Sequence, residues 1–150
     1  MRLTIAAATL LLTAAATPVG LRPGLWQVAS APTGASLDGR PLGDLPYTPP
    51  TGTNTVCLSP VQARNPAAWL ARDAATGCTL ARRNVSGGRV DVAGTCPPQA
   101  PGLASGTVRI TGRWTPTSYA LRFVTESPSE NGRMGFTGSL TGRRIGDCPG

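Results

Sequence analysis

The chain has 150 residues, a length typical of one domain. Its formal net charge of +7 comes entirely from arginine, because the sequence holds neither lysine nor histidine. Without histidine the histidine-dependent serine, cysteine and metal hydrolases are excluded, and without lysine so is Schiff-base or Ser-Lys chemistry.

The first 16 residues read as an export signal: Arg2, an apolar run over residues 3–12, then small residues ending in Ala14-x-Ala16. The apolar run is shorter than the roughly 20 residues needed to span a bilayer. Residues 17–150 are therefore expected to form a single β-rich domain in the periplasm or outside the cell, with no membrane span. All four cysteines, Cys57, Cys78, Cys96 and Cys148, lie in that part, and an even count in an exported chain predicts two disulfides. A metal site is not expected, since no two cysteines stand at the short spacing of zinc ligands.

Residues 23–29 read as a turn entering a short strand, and residues 32–52, crowded with proline and glycine, as a long flexible loop. Residues 53–58 predict a strand. Ser59-Pro60-Val61-Gln62 then carries a helix start, with serine as cap, proline at the first helical position and glutamine three residues after the cap. Asn65-Pro66 repeats the signal, which predicts a second helical piece over residues 67–75, stopped at Gly77, with Trp69 and Leu70 buried against the sheet. Ser86-Gly87-Gly88 separates two strand-like runs, and Cys78 and Cys96 are equidistant from Gly87. A hairpin centred there pairs these two cysteines and leaves Cys57 with Cys148, one of three connectivities. Against that register, it puts Arg82 and Asn84 on the face of Val90 and Val92. Asn84-Val85-Ser86 also matches a glycosylation sequon, read here as chance at a tight turn.

The last strands alternate clearly. Val108, Ile110 and Trp114 form one face of residues 106–114, and Tyr119, Leu121 and Phe123 one face of residues 119–124. A tight turn at Pro116-Thr117 sets Trp114 opposite Tyr119 and Ile110 opposite Phe123. Met134, Phe136 and Leu140 continue this face, interrupted by Gly138 and Gly142, which suggest bends or bulges. The fold class expected is mainly β: a curved antiparallel meander or small barrel with one short helical segment and two disulfides.

Two candidate sites follow from the alternation. Arg109, Arg113, Arg122, Arg133 and Arg143 share the polar face, either a solvated surface or a contact for phosphate and carboxylate groups. Trp114, Tyr119, Leu121, Phe123 and Phe136 form core, or line an apolar pocket if the sheet closes round a cavity. The carboxylates Asp38, Asp44, Asp73, Asp91, Glu126, Glu130 and Asp147 fall in no acid/base motif, so a protein without catalytic residues or cofactor is expected. Few aromatics and no recognition motif argue against nucleic acid as a partner.

Pro23-Gly24-Leu25-Trp26 after a signal peptide, Val56-Cys57-Leu58-Ser59-Pro60 before a short helix, Gly77-Cys78, Cys96 and the closing Gly142-Arg143-Arg144-Ile145-Gly146-Asp147-Cys148-Pro149 follow one another through the chain. In their order these motifs resemble the small exported bacterial proteins of domain of unknown function family 3617. Members often carry a Met- and Pro-rich loop, where residues 36–50 here hold no methionine. The resemblance implies an envelope location and carries over no catalytic residue. The leading expectation is a non-enzymatic periplasmic domain binding an apolar or anionic envelope component, such as a lipid, a cell-wall polymer or an acidic protein. The alternative is a protein-interaction module, an inhibitor or accessory of a secreted enzyme, contacting its partner through residues 32–52 or the arginine face.

Overall fold

The computed structural model describes residues 20–43, 52–72 and 75–150. The signal segment 1–16 and residues 44–51 of the expected loop lie outside them. Eight strands form one antiparallel sheet: β1 (Gly24–Leu37), β2 (Arg40–Leu42), β3 (Gly52–Leu58), β4 (Thr79–Ser86), β5 (Arg89–Cys96), β6 (Gly106–Thr115), β7 (Ser118–Ser129) and β8 (Gly132–Gly146). Their spatial order is β2-β1-β8-β7-β6-β5-β4, with β3 beside β1 on the edge it shares with β2. The sheet stays open: β4 forms one edge, and β2 with β3 the other.

Two short helices, α1 (Pro60–Ala63) and α2 (Pro66–Ala71), lie on the connection from β3 at one edge to β4 at the other. Both start as the sequence predicts. Ser59 and Gln62 exchange side-chain and backbone hydrogen bonds in a capping box, and Asn65 Oδ1 accepts from the Ala68 amide. Trp69 and Leu70 are buried, and with Ala63 and Ala71 they join Trp26, Val28, Val92, Ile110, Trp114, Tyr119 and Leu121 in one core on the inner face of the sheet.

The long-loop expectation is corrected over its first half. Residues 32–37 continue β1 against β8, and β2 returns along them through Asp38-Gly39, both at positive φ. Asp-Gly at the two positions of such a turn is the usual chemistry of a tight hairpin. The segment looks irregular because a register shift between Pro32 and Gly34 leaves Thr33 unpaired and resets the alternation. Its hydrogen-bonding partners come from β8, about a hundred residues later, and local propensity does not report them.

The β4–β5 hairpin corrects the register. Gly87 and Gly88, with φ of 56° and 74°, make a two-residue turn in which Ser86 pairs with Arg89 and Val85 with Val90. Asn84 and Arg82 therefore share the face of Asp91 and not that of the valines. A bulge at Ala81 then shifts the ladder by one, so that Leu80 meets Gly94 and Cys78 comes beside Cys96. The two disulfides join Cys78 to Cys96 and Cys57 to Cys148.

The β6–β7 register is as expected, Trp114 facing Tyr119 and Ile110 facing Phe123. Gly138 and Gly142 make no bulge in β8 against β7. They sit beneath cross-strand rings instead: a Cβ on Gly138 would overlap Phe123, and one on Gly142 would overlap Tyr119.

Candidate functional site

Alternation along the strands puts arginine on the face opposite the core. Arg109 and Arg113 of β6, Arg122 of β7, and Arg133 and Arg143 of β8 all lie there. Arg82 of β4 and Arg89 of β5 join them, and neither belongs to the set read from the sequence. A two-residue turn at Gly87-Gly88 was the signal that would have placed Arg89. The same turn would have placed Arg82, which pairs with Ala93 on the turn side of the bulge.

Registers fix the arrangement of this outer face. Arg89 stands directly opposite Arg113, while Arg122 pairs with Thr111 and is flanked diagonally by Arg109 and Arg113. Neighbouring strands are ~4.8 Å apart, so these guanidinium groups crowd one patch. Two carboxylates share the face. Asp91 takes Arg82 at 3.1 Å and Arg109 at 3.4 Å, and Glu126 takes Arg133 at 3.7 Å. Among the described residues Arg89, Arg113 and Arg122 have no carboxylate partner. A like-charged pair directly across strands destabilises a sheet by roughly 0.2–1 kcal/mol, so Arg89 and Arg113 are set against each other at a cost that an anion would relieve.

Beside this patch lies a shallow cleft of about 250 Å³, lined by Gln27, Ala29, Thr53, Thr141, Gly142 and Arg143. Its floor is the small Ala29 of β1, paired with Thr53 of β3 on one side and Thr141 of β8 on the other. The next row closes one end, where Arg143 Nε donates to Gln27 Oε1 at 2.8 Å. Ala120 of β7 pairs with both Thr141 and Arg113, so the cleft and the arginine patch are two strands apart.

The apolar candidates separate. Trp114, Tyr119 and Leu121 are buried in the core, Phe123 packs against its margin, and Phe136 is 36% exposed beyond it. The described carboxylates are spread along the chain. Asp91 and Glu126 are ion-paired as above, Asp147 pairs with Arg144, and Asp38 accepts the Arg133 amide at 2.8 Å. Asp44 and Asp73 lie outside the described residues. Among the described residues no group of three or more potential metal ligands occurs, and no helix is long and apolar enough to cross a membrane.

The Pro23-Gly24-Leu25-Trp26, Val56-Cys57-Leu58 and closing Arg143-to-Cys148 motifs meet at one end of the sheet, while Cys78 and Cys96 lie at the other end of the β4–β5 ladder. Arg144, on the inner face beside Trp26, donates to the Pro23 carbonyl at 2.8 Å and pairs with Asp147. Gly24 has φ of 136°, and a Cβ there would come 2.7 Å from Arg144 Nε. Trp26 Nε1 donates to the Arg22 carbonyl, and the Cys57–Cys148 bridge ties β3 to the segment after β8. This corner is built from packing, hydrogen bonds, an ion pair and a disulfide.

Neither the curated proteins nor the solved structures include a match to this chain. A family model, described as "Protein of unknown function (DUF3617)", matches residues 21–148, from two residues before the Pro23-Gly24-Leu25-Trp26 corner to the last cysteine. With most of its length matched, the chain belongs to the DUF3617 family.

Proposed function

We propose that this is an exported, non-catalytic domain of the periplasm or cell envelope that binds an anionic component through the outer face of its sheet. The observation that carries the reading is the patch of Arg89, Arg113 and Arg122, three arginines without carboxylate partners among the described residues, two of them directly opposed. Arginine presents a planar fork of donors suited to phosphate and carboxylate oxygens. Two disulfides suit an oxidising compartment. The non-catalytic reading is supported by Asp38, Asp91, Glu126 and Asp147, which are engaged by arginine or backbone rather than by one another. The packing of Trp114, Tyr119 and Leu121 in the core favours the arginine face over an apolar pocket.

The test is retention of the mature protein on phosphatidylglycerol vesicles, on phosphatidylcholine vesicles and on soluble polyphosphate. The wild type should bind at least one of the two anionic ligands and ignore the neutral one, and Arg113→Gln/Arg122→Gln should weaken that binding by roughly tenfold or more. Arg109 is a poorer target, because Asp91 already holds it. Retention on neither anionic ligand, or equal binding by the double variant, would sink the reading. A second reading, a protein-interaction module, draws on Val61, which is 77% exposed on α1 beside a cleft that includes Trp69 with Arg72 stacked on its ring. That partner's binding would be insensitive to the two substitutions on the sheet.

A further inference from the structure

We propose that the cleft beside Arg143 is a site for a single phosphate ester group, the chemistry shared by anionic lipid heads and linear phosphate polymers. The proposal rests on the anionic-face reading and names the ligand class at one point of that face. Three observations carry it. Arg143 is held in place by its Nε hydrogen bond to Gln27, which leaves the terminal amino groups of the guanidinium without an acceptor among the described residues. Thr53 and Thr141 stand either side of Ala29, and neither hydroxyl has a hydrogen-bond partner among the described residues. Among the described residues no carboxylate lines the cleft.

The site thus offers donors from one fixed cation and two hydroxyls, arranged around a floor of Ala29 and Gly142 that carries no long side chain. A planar carboxylate presents two acceptor oxygens in one plane. A phosphate ester presents tetrahedral oxygens that can accept from the guanidinium fork and from a hydroxyl on each side together. The volume of about 250 Å³ is below the roughly 300–1,000 Å³ of pockets for drug-sized molecules. It suits a head group whose remaining chain runs out over the face, toward Ala120 and the arginine patch beyond it.

The experiment is an NMR titration of the folded, oxidised protein with glycerol 3-phosphate, with sodium acetate as the control anion. Saturable shifts should be confined to Thr53, Thr141, Gly142 and the amide and Nε of Arg143. Affinity should fall about tenfold or more in Arg143→Gln and in Arg143→Lys, which keeps the charge and loses the fork. It should fall several-fold in Thr141→Val, which keeps the β-branched shape and removes the hydroxyl. Shifts spread evenly over all arginines, equal response to acetate, or unchanged affinity in Arg143→Gln would each overturn the cleft. Those results leave the wider reading standing, since that reading fails when the protein is retained on neither vesicles nor polyphosphate, or when the Arg113 and Arg122 substitutions leave that binding intact. Glycerol 3-phosphate displacing the protein from phosphatidylglycerol vesicles identifies a lipid head as the source, and displacement from polyphosphate identifies a polymer. Displacement from neither overturns the proposal.

Discussion

Gly142 is the point on which the inner face turns. It pairs with Val28 on one side and Tyr119 on the other, and the Tyr119 ring lies across it to stack on Trp26 with centroids 6.0 Å apart and planes 21° from parallel. A methyl group there would occupy the space of the Tyr119 ring. Gly142→Ala should therefore lower the unfolding free energy by about 1–3 kcal/mol, the range for overpacking, in urea denaturation followed by tryptophan fluorescence. Unchanged stability would contradict this packing. The next two residues divide the labour of the strand, since Arg143 points to the outer face and Arg144 to the inner corner. Arg144→Gln removes the contacts to Pro23 and Asp147 from a side chain that is 25% exposed, and should destabilise the fold by about 1–3 kcal/mol without altering anion binding. Arg143→Gln should do the reverse: near-wild-type unfolding with weakened binding.

The β4–β5 hairpin shows how an element can be largely legible in sequence and still be one residue off. The two glycines and the spacing of Cys78 and Cys96 point to a hairpin and a bridge, yet a two-residue turn and a central pairing of the cysteines cannot both hold along a regular ladder. The bulge at Ala81 reconciles them, and Gly94 permits it, because a Cβ at that position would strike the backbone of Thr79 and Leu80. Ala81 has no partner, so its deletion should regularise the ladder and keep Leu80 opposite Gly94 and Cys78 opposite Cys96. Peptide mapping under non-reducing conditions should still find the Cys78–Cys96 bridge in that variant, and a scrambled pairing would count against the register. The β6–β7 register was readable because residues 106–114 and 119–124 alternate and a two-residue turn joins them, although β7 runs on to Ser129 beyond the strand read from the sequence. Residues 32–43 were not, because the stretch carries few large apolar side chains and its order depends on β8. Even so, Asp38-Gly39 was a turn signal in plain view.

Taken together, the open sheet separates two kinds of surface. The inner face is closed over by α1 and α2, which cross from one edge to the other and complete the core that an open sheet lacks. Among the described residues the outer face has no such cover, and it gathers Arg82, Arg89, Arg109, Arg113, Arg122, Arg133 and Arg143 against Asp91 and Glu126. Five of these arginines were visible from alternation in the last three strands. The cleft at Arg143 was not, because it needs Thr53 of β3 and Thr141 of β8 on either side of β1, a juxtaposition made only by long-range pairing. If the face works as proposed, binding is mainly electrostatic and must weaken as salt shortens the screening length, from ~14 Å near 0.05 M to ~6 Å near 0.3 M. We would therefore follow the affinity of the wild type and of Arg113→Gln/Arg122→Gln for phosphatidylglycerol vesicles and polyphosphate across that salt range. The expected result is a steep loss of wild-type affinity with salt on at least one of the two ligands, and a weaker, shallower dependence in the double variant. Affinity that ignores salt and is the same in both proteins would contradict an anion-binding role for the arginine face.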